Sequence, residues 1–206
     1  MTLPRWLAWA REIQALAQTG SHYAENEYQK QRNQRLLEIA AEIVSEYSTL
    51  DYPVLVGAFK SPIGYSTPRV DVRGAVFRDE CILLVRERMD GGWTLPGGWA
   101  DVGDVPSRAA EREVWEEAGF RVKAQKIVGV YDANRSGDLE LFHAFKIVFL
   151  CELIEGKARP SLETSEVTFF SEGDLPNNLS GERTKSRHIY DAFRCFKDPN
   201  MATLFD

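Results

Sequence analysis

The chain holds 206 residues, 44% of them hydrophobic and 27% charged, with a formal net charge of −6. That length and balance provide for one moderate core plus a small extra module and exclude a disordered or fibrous chain. The negative charge excludes bulk attraction to nucleic acid or anionic lipid, so any anionic ligand has to be held locally.

The longest apolar runs, 52–59 and 147–151, fall far short of the roughly 18 residues a bilayer span needs, which predicts no membrane partner. Arg5, Arg11 and Glu12 interrupt what would be the core of a signal peptide, so the N-terminus reads as mature structure and the location as cytoplasmic. Cys81, Cys151 and Cys195 form neither an even set nor a metal-spaced cluster and read as free core thiols.

From 3 to 17, Leu3, Trp6, Leu7, Ala10, Ile13 and Leu16 or Ala17 recur at helical spacing, with Pro4 suited to a first turn. The segment 25–47 repeats the pattern with Leu36, Leu37, Ala40, Ile43, Val44 and Tyr47, and 18–24, with Gly20, is predicted to turn between the two. A hairpin of two amphipathic helices buries its stripes poorly, which predicts packing on the rest of the chain or a homodimer through these helices. Pro53, Gly57, Pro62, Gly64 and Pro68 then break regular structure, leaving a short helix or strand and a linker. The boundary is placed there, with a helical domain over 1–65 and a second domain over 66–206.

In the second domain, 70–77 and 81–86 read as a hairpin turned at Arg78-Asp79-Glu80. A tight stretch runs from Gly91 through Trp93-Thr94-Leu95-Pro96-Gly97-Gly98, and a helix over 106–118 is stopped by Gly119. Strands follow at 122–132, 142–153 and 167–170, with a closing helix over 182–196. Strands interleaved with helices make an α/β fold. Arg183, Lys185, Arg187 and Arg194 give the closing helix a basic side, read as a solvated face, with phosphate or RNA contact as the other reading.

The densest acidic signal is Arg112-Glu113-Val114-Trp115-Glu116-Glu117. On a helix Glu113, Glu116 and Glu117 stand at i, i+3 and i+4, so three carboxylates converge on one face and suit a hard cation such as Mg²⁺ or Mn²⁺. Val114 and Ala118 turn to the core, and Arg112 can orient a carboxylate.

Gly98, five residues, Asp104, seven residues, Arg112-Glu113, two residues, Glu116-Glu117, one residue and Gly119 resemble the box that defines the Nudix hydrolases, with Asp104 where that pattern has Glu. The resemblance implies an α/β/α sandwich with a mixed sheet over about 70–196, preceded by the helical hairpin. It also implies metal-dependent hydrolysis of a nucleoside diphosphate linked to another moiety. Glu113, Glu116 and Glu117 would then be the metal-facing carboxylates, with Glu113, Glu116 and Arg112 the catalytic positions. Glu166, with Glu163 beside it, lies where some members place a general base. Gly97, Gly98 and Arg135 are the implied substrate contacts, and Asp104 would reach the metal through water or serve as a helix-start acceptor.

The N-terminal segment Leu3-Pro4-Arg5-Trp6 and the runs 70–76 and 97–103 are similar to a bacterial Nudix subgroup that carries a helical N-terminal domain. That subgroup implies a homodimer acting on ADP-ribose or CDP-choline. A silent nucleotide-sensing module and an RNA-processing hydrolase are the alternatives.

Overall fold

The computed structural model describes residues 4–60, 66–101, 103–133, 143–181 and 183–206. Its contacts divide the chain into an N-terminal unit that runs to Pro68 and also takes in His143, and a larger unit that begins at Arg69 and resumes at Ala144.

The N-terminal unit consists of α1 (Arg5–His22), α2 (Glu27–Tyr47) and α3 (Tyr52–Lys60). Leu7, Ala10 and Ala17 of α1 meet Leu37, Ala40, Ala41 and Val44 of α2 and Leu55 and Phe59 of α3 in one small core. The predicted turn over 18–24 is corrected: α1 continues through Gly20 to His22. Gly20 marks a close helix approach, since a Cβ there would stand 2.8 Å from Asn33 Oδ1 of α2. The chain turns instead just before Asn26, whose side chain accepts from the Gln29 N–H at 2.9 Å and starts α2. The short helix or strand read after Thr49 is a helix, α3, and Pro53 sits in its first turn, where its missing N–H costs nothing. Of the alternatives Leu16 and Ala17, Ala17 is the buried one, whereas Leu36 and Tyr47, predicted on the stripe of α2, are exposed.

The larger unit is a mixed eight-stranded sheet with a helix on each face. Its strands are β1 (Arg69–Arg78), β2 (Cys81–Glu87), β3 (Trp93–Thr94), β4 (Gly97–Trp99), β5 (Phe120–Asp132), β6 (Ala144–Gly156), β7 (Thr164–Phe170) and β8 (Leu204–Phe205). The path is β3-β2-β1-β6-β5-β8, with β4 on β1 and β7 on β2. Asp79 and Glu80 both take positive φ, the two-residue turn that suits a twisted hairpin. The β1–β2 hairpin holds only at Phe77↔Ile82 and Arg78↔Cys81 before the strands diverge, β1 to β4 and parallel β6, β2 to β3 and β7.

Both faces of β2 are covered. Ile82 and Leu84 share a core with Ile189, Ala192 and Phe193 of α5 (Ser186–Lys197), while Leu83 and Val85 share one with Ala109, Ala110, Val114 and Ala118 of α4 (Pro106–Ala118). This is the sandwich that the resemblance implied. Of the three thiols, Cys151 and Cys195 are buried and Cys81 is half-buried. No helix among the described residues is long and apolar enough to cross a membrane.

Candidate active site

The site is built on α4. Pro106 stands in its first turn, and Gly119 ends it in the left-handed conformation at φ 78°, its N–H donating to the Trp115 carbonyl at 3.0 Å. Val114 and Ala118 are fully buried, as their spacing predicts. The helix lies so close to β1 that a Cβ on Gly74 would come 2.4 Å from Val114 Cγ2.

That packing presses the acidic face against β4. The three box carboxylates are unequal: Glu117 is 6% exposed, the Glu113 side chain 14% and the Glu116 side chain 54%. Glu117 Oε2 accepts from the Gly97 N–H at 2.9 Å. Gly98 stands over Glu113, and a Cβ there would be 3.1 Å from Glu113 Oε2. Both glycines pair with β1, as Arg73↔Gly97 and Val72↔Gly98.

Arg112 ties the acidic face together, with Glu113 Oε1 at 2.8 Å, Glu116 Oε2 at 3.2 Å and Asp104 Oδ2 at 3.2 Å. Asp104 does not cap α4, whose N-cap is Val105 with no side-chain bond. Its carboxylate accepts from the Asp101 N–H at 3.0 Å, closing the loop before the helix, and holds Arg112.

Beneath this face lies a buried ionic group that the sequence reading missed. Arg73 on β1 donates through Nε and Nη2 to Asp71 at 2.7 and 3.1 Å and through Nη1 to the Leu95 carbonyl at 3.1 Å. Lys146, opposite Asp71 on β6, donates to Asp71 Oδ2 at 2.6 Å. Burial alone would push Asp71 up, but the charges of Arg73 and Lys146 hold it below the ordinary carboxylate range. Burial pushes Glu117 up to about 7 against the pull of Arg73, with Glu87 and Glu113 adding repulsion. Burial raises Glu113 and Glu87 too.

His188 packs at the edge of this group, its ring 4.7 Å from that of Tyr131 and its Nδ1 accepting from the Lys185 N–H at 3.2 Å. Burial, reinforced by Lys146, Arg73 and Arg187 and opposed by Asp71, drives its pKa down to about 3. Between pH 3 and the ordinary imidazole value the unfolded chain binds a proton that the folded chain refuses, so stability falls as pH falls through that window. Wild type is expected to lose up to about 1.4 kcal/mol per pH unit relative to His188→Asn below pH ~6.5. Denaturant unfolding of both proteins at pH 5, 6 and 7.5 checks this; a difference that stays flat with pH would contradict it.

Among the described residues, no three His, Cys, Asp or Glu side chains are gathered as a ready metal cage, and the Arg112 guanidinium occupies Glu113 and Glu116. The donors nevertheless fit a divalent cation in kind. Glu113 and Glu117 offer hard oxygens, both are pushed toward the neutral form by burial, and Gly98 leaves the Glu113 carboxylate uncovered.

A model of the NUDIX domain matches residues 67–193. The chain belongs to the Nudix family. A second model, described as a UDP-X-like N-terminal oligomerisation domain, matches residues 4–59. A Bacillus subtilis (strain 168) protein named "Putative ADP-ribose pyrophosphatase YjhB" is 34% identical over 203 residues, covering 98% of this chain and 97% of its own. The crystal structure of an ADP-ribose pyrophosphatase from Streptococcus suis 89-1591 is 36% identical, with a TM-score of 0.63 over 68% of this chain and all of that one. The crystal structure of a UDP-X diphosphatase is 29% identical, with a TM-score of 0.63 over 99% of this chain and all of that one. The protein is therefore a Nudix pyrophosphohydrolase, of a family that generally uses divalent metal.

Of the residues singled out in the Nudix box, the structure brings together Gly97, Gly98, Asp104, Arg112, Glu113, Glu116 and Glu117. Glu166 lies on β7 rather than in a loop and is paired with Arg86 at 2.6 Å. Arg135 lies outside the described residues. Asp71, Arg73, Glu87 and Lys146 went unseen as site residues, although each is a charge set in or at the end of an apolar strand run, where only a partner makes burial tolerable.

Proposed function

We infer that this Nudix hydrolase cuts the pyrophosphate link of a nucleoside diphosphate joined to a second moiety, with Mg²⁺ or Mn²⁺ held by Glu113 and Glu117 and by Glu116 at the rim. The observation that carries this reading is the cradle in which Gly97 fixes Glu117 and Gly98 leaves Glu113 open. When bound, the cation neutralises diphosphate oxygens and makes water a better nucleophile. The chain's own work is to aim the oxygens: the Gly97 N–H holds Glu117 by Oε2, while Arg112, steadied by Asp104, turns Glu113 and Glu116. Carboxylates so held can accept the proton that the attacking water gives up.

ADP-ribose is the first substrate to test, because two of the relatives carry it in their names. A UDP-linked compound is the second reading, supported by the UDP-X-like model over 4–59 and by the whole-chain likeness to the UDP-X diphosphatase. CDP-choline is the third, from the resemblance alone. RNA draws no support from these relatives, whose names are those of small diphosphates. Incubation with ADP-ribose, a UDP-sugar and CDP-choline, each with Mg²⁺, Mn²⁺ or chelator, is expected to release AMP, UMP or CMP with metal and nothing with chelator. Turnover of none under either metal would overturn the reading.

Three free cysteines suit a reducing cytoplasm, where we place the enzyme. It is expected to be a homodimer through the N-terminal helices, on which Trp9, Leu16, Tyr23 and Tyr28 stand exposed. Light scattering on the purified protein should give twice the 23.4 kDa chain mass.

A further inference from the structure

We propose that Arg183 is a phosphate-binding cation of this site, held in place by Glu87 and Lys146. The proposal rests on the diphosphate-hydrolase reading above. Its geometry starts at the end of β2. Glu87 stands opposite Thr164 in the β2–β7 ladder, and the Thr164 hydroxyl donates to the Glu117 carbonyl at 2.8 Å. The buried Glu87 thus stands beside the backbone that ends the box, near enough for its charge to repel the Glu117 carboxylate. Arg183 Nη1 reaches Glu87 Oε2 at 2.5 Å.

Arg183 is not part of the closing helix, as the spacing predicted, but of a segment fastened across β3 just before α5 begins at Ser186. The Ser180 N–H donates to the Trp93 carbonyl at 2.8 Å, the Leu95 N–H donates to Thr184 Oγ1 at 3.0 Å, and the Thr94 and Thr184 hydroxyls lie 2.7 Å apart. Lys146 Nζ, already bound to Asp71, also donates to the Arg183 carbonyl at 2.6 Å. The buried ionic group under the box thus grips the backbone of Arg183, while Glu87 grips its head.

The other cations of the site are committed. Arg73 is buried and divides its donors between Asp71 and the Leu95 carbonyl, Lys146 is buried, and Arg112 is shared by three carboxylates. Arg183 keeps a third of its side chain exposed and meets a carboxylate through Nη1. Its charge also acts on Asp90, and a guanidinium held through one nitrogen can turn its other donors to the planar, two-pronged pairing that phosphate oxygens accept. A site lined by Glu87, Glu113 and Glu117 repels an anionic diphosphate, and a cation on its rim offsets that repulsion.

The experiment compares wild type, Glu87→Gln, Arg183→Lys and the double variant Glu87→Gln/Arg183→Ala. The double variant avoids leaving a buried carboxylate unpaired, which would confuse binding with folding. Isothermal titration with ADP in Mg²⁺ buffer gives affinity, steady-state kinetics on whichever of the three candidate diphosphates wild type hydrolyses give KM and kcat, and denaturant unfolding reports stability. The double variant is expected to bind ADP about 10- to 100-fold more weakly than Glu87→Gln, the size of a lost charge-assisted hydrogen bond. KM should rise by a similar factor with kcat less affected, as for a contact made in the ground state. Arg183→Lys should recover part of the affinity, since it keeps the charge and loses the fork.

ADP affinity and KM within about twofold of Glu87→Gln, in a wild-type background that binds and turns over, would overturn the role of Arg183 alone. Failure of wild type to bind ADP or to hydrolyse any diphosphate derivative would overturn both this and the hydrolase reading.

Discussion

Replacing Glu113 or Glu117 by Gln is expected to lower kcat/KM by about 10²- to 10⁴-fold while leaving the fold intact. The amide has the shape of the carboxylate, and in Glu117→Gln its oxygen can still accept from the Gly97 N–H. What is lost is the charge that holds a cation and the basic oxygen that takes a proton. Because loss of water, helped by like-charged neighbours, outweighs the pull of Arg112 on Glu113 and of Arg73 on Glu117, their neutralisation should leave thermal stability equal or higher, the usual sign of strain kept for function. Glu116, half exposed, is expected to show the smaller loss. Steady-state turnover with saturating Mg²⁺ and a melting curve on each variant provide the check. Wild-type turnover in Glu113→Gln would remove Glu113 from the metal set.

The second large effect is on stability. Gly97→Ala is expected to cost at least about 3 kcal/mol, since the new methyl has no room and the backbone no freedom to supply it. Gly97 holds φ 148°, a region side chains avoid, and an added Cβ would stand 2.1 Å from the Val72 carbonyl oxygen and 2.8 Å from Arg73 Cα. Those atoms belong to a strand paired on both sides by β4 and β6, so they cannot yield. The urea midpoint should drop with an unchanged slope. A midpoint shift worth less than about 1 kcal/mol would mean that β4 can lift away from β1.

Much of the architecture was legible because its signals are local. Pro106 and Gly119 bracket α4 by backbone chemistry alone, and Val114 and Ala118 fall on its inner face by the 3.6-residue repeat. Where a local signal has two uses, the sequence misled. Gly20 suits a turn and a close helix contact equally, and only the presence of Asn33 across the gap makes it the second. The closing helix was started four residues early because Arg183 and Thr184 have no breaker among them; their N–H groups instead close a turn on the Ser180 carbonyl, at 3.0 and 2.8 Å, and the hydroxyl pair with Thr94 holds that turn apart from the helix. The short strands β3, β4 and β8 carry too few residues for any period to show.

In the site, box spacing selected Arg112, Glu113, Glu116 and Glu117, since a helix converts that spacing into one face. It did not rank them. Burial of Glu113 and Glu117 and exposure of Glu116 depend on which side of α4 meets β4, a contact between segments joined only by the fold. Asp71, Arg73 and Lys146 are likewise remote from the box along the chain and unremarkable one at a time.

By itself, then, the order of residues determined the longer elements, the acidic helix face and the family, all of which follow from spacing within a few turns of chain. Only the tertiary structure decided which carboxylates lose water, what the buried Arg73 and Lys146 hold, and that Arg183 stands beside Glu87. Desolvation and ion pairing are set by whatever lies across space, and β1, β2, β6 and the segment before α5 come together there only once the sheet has formed.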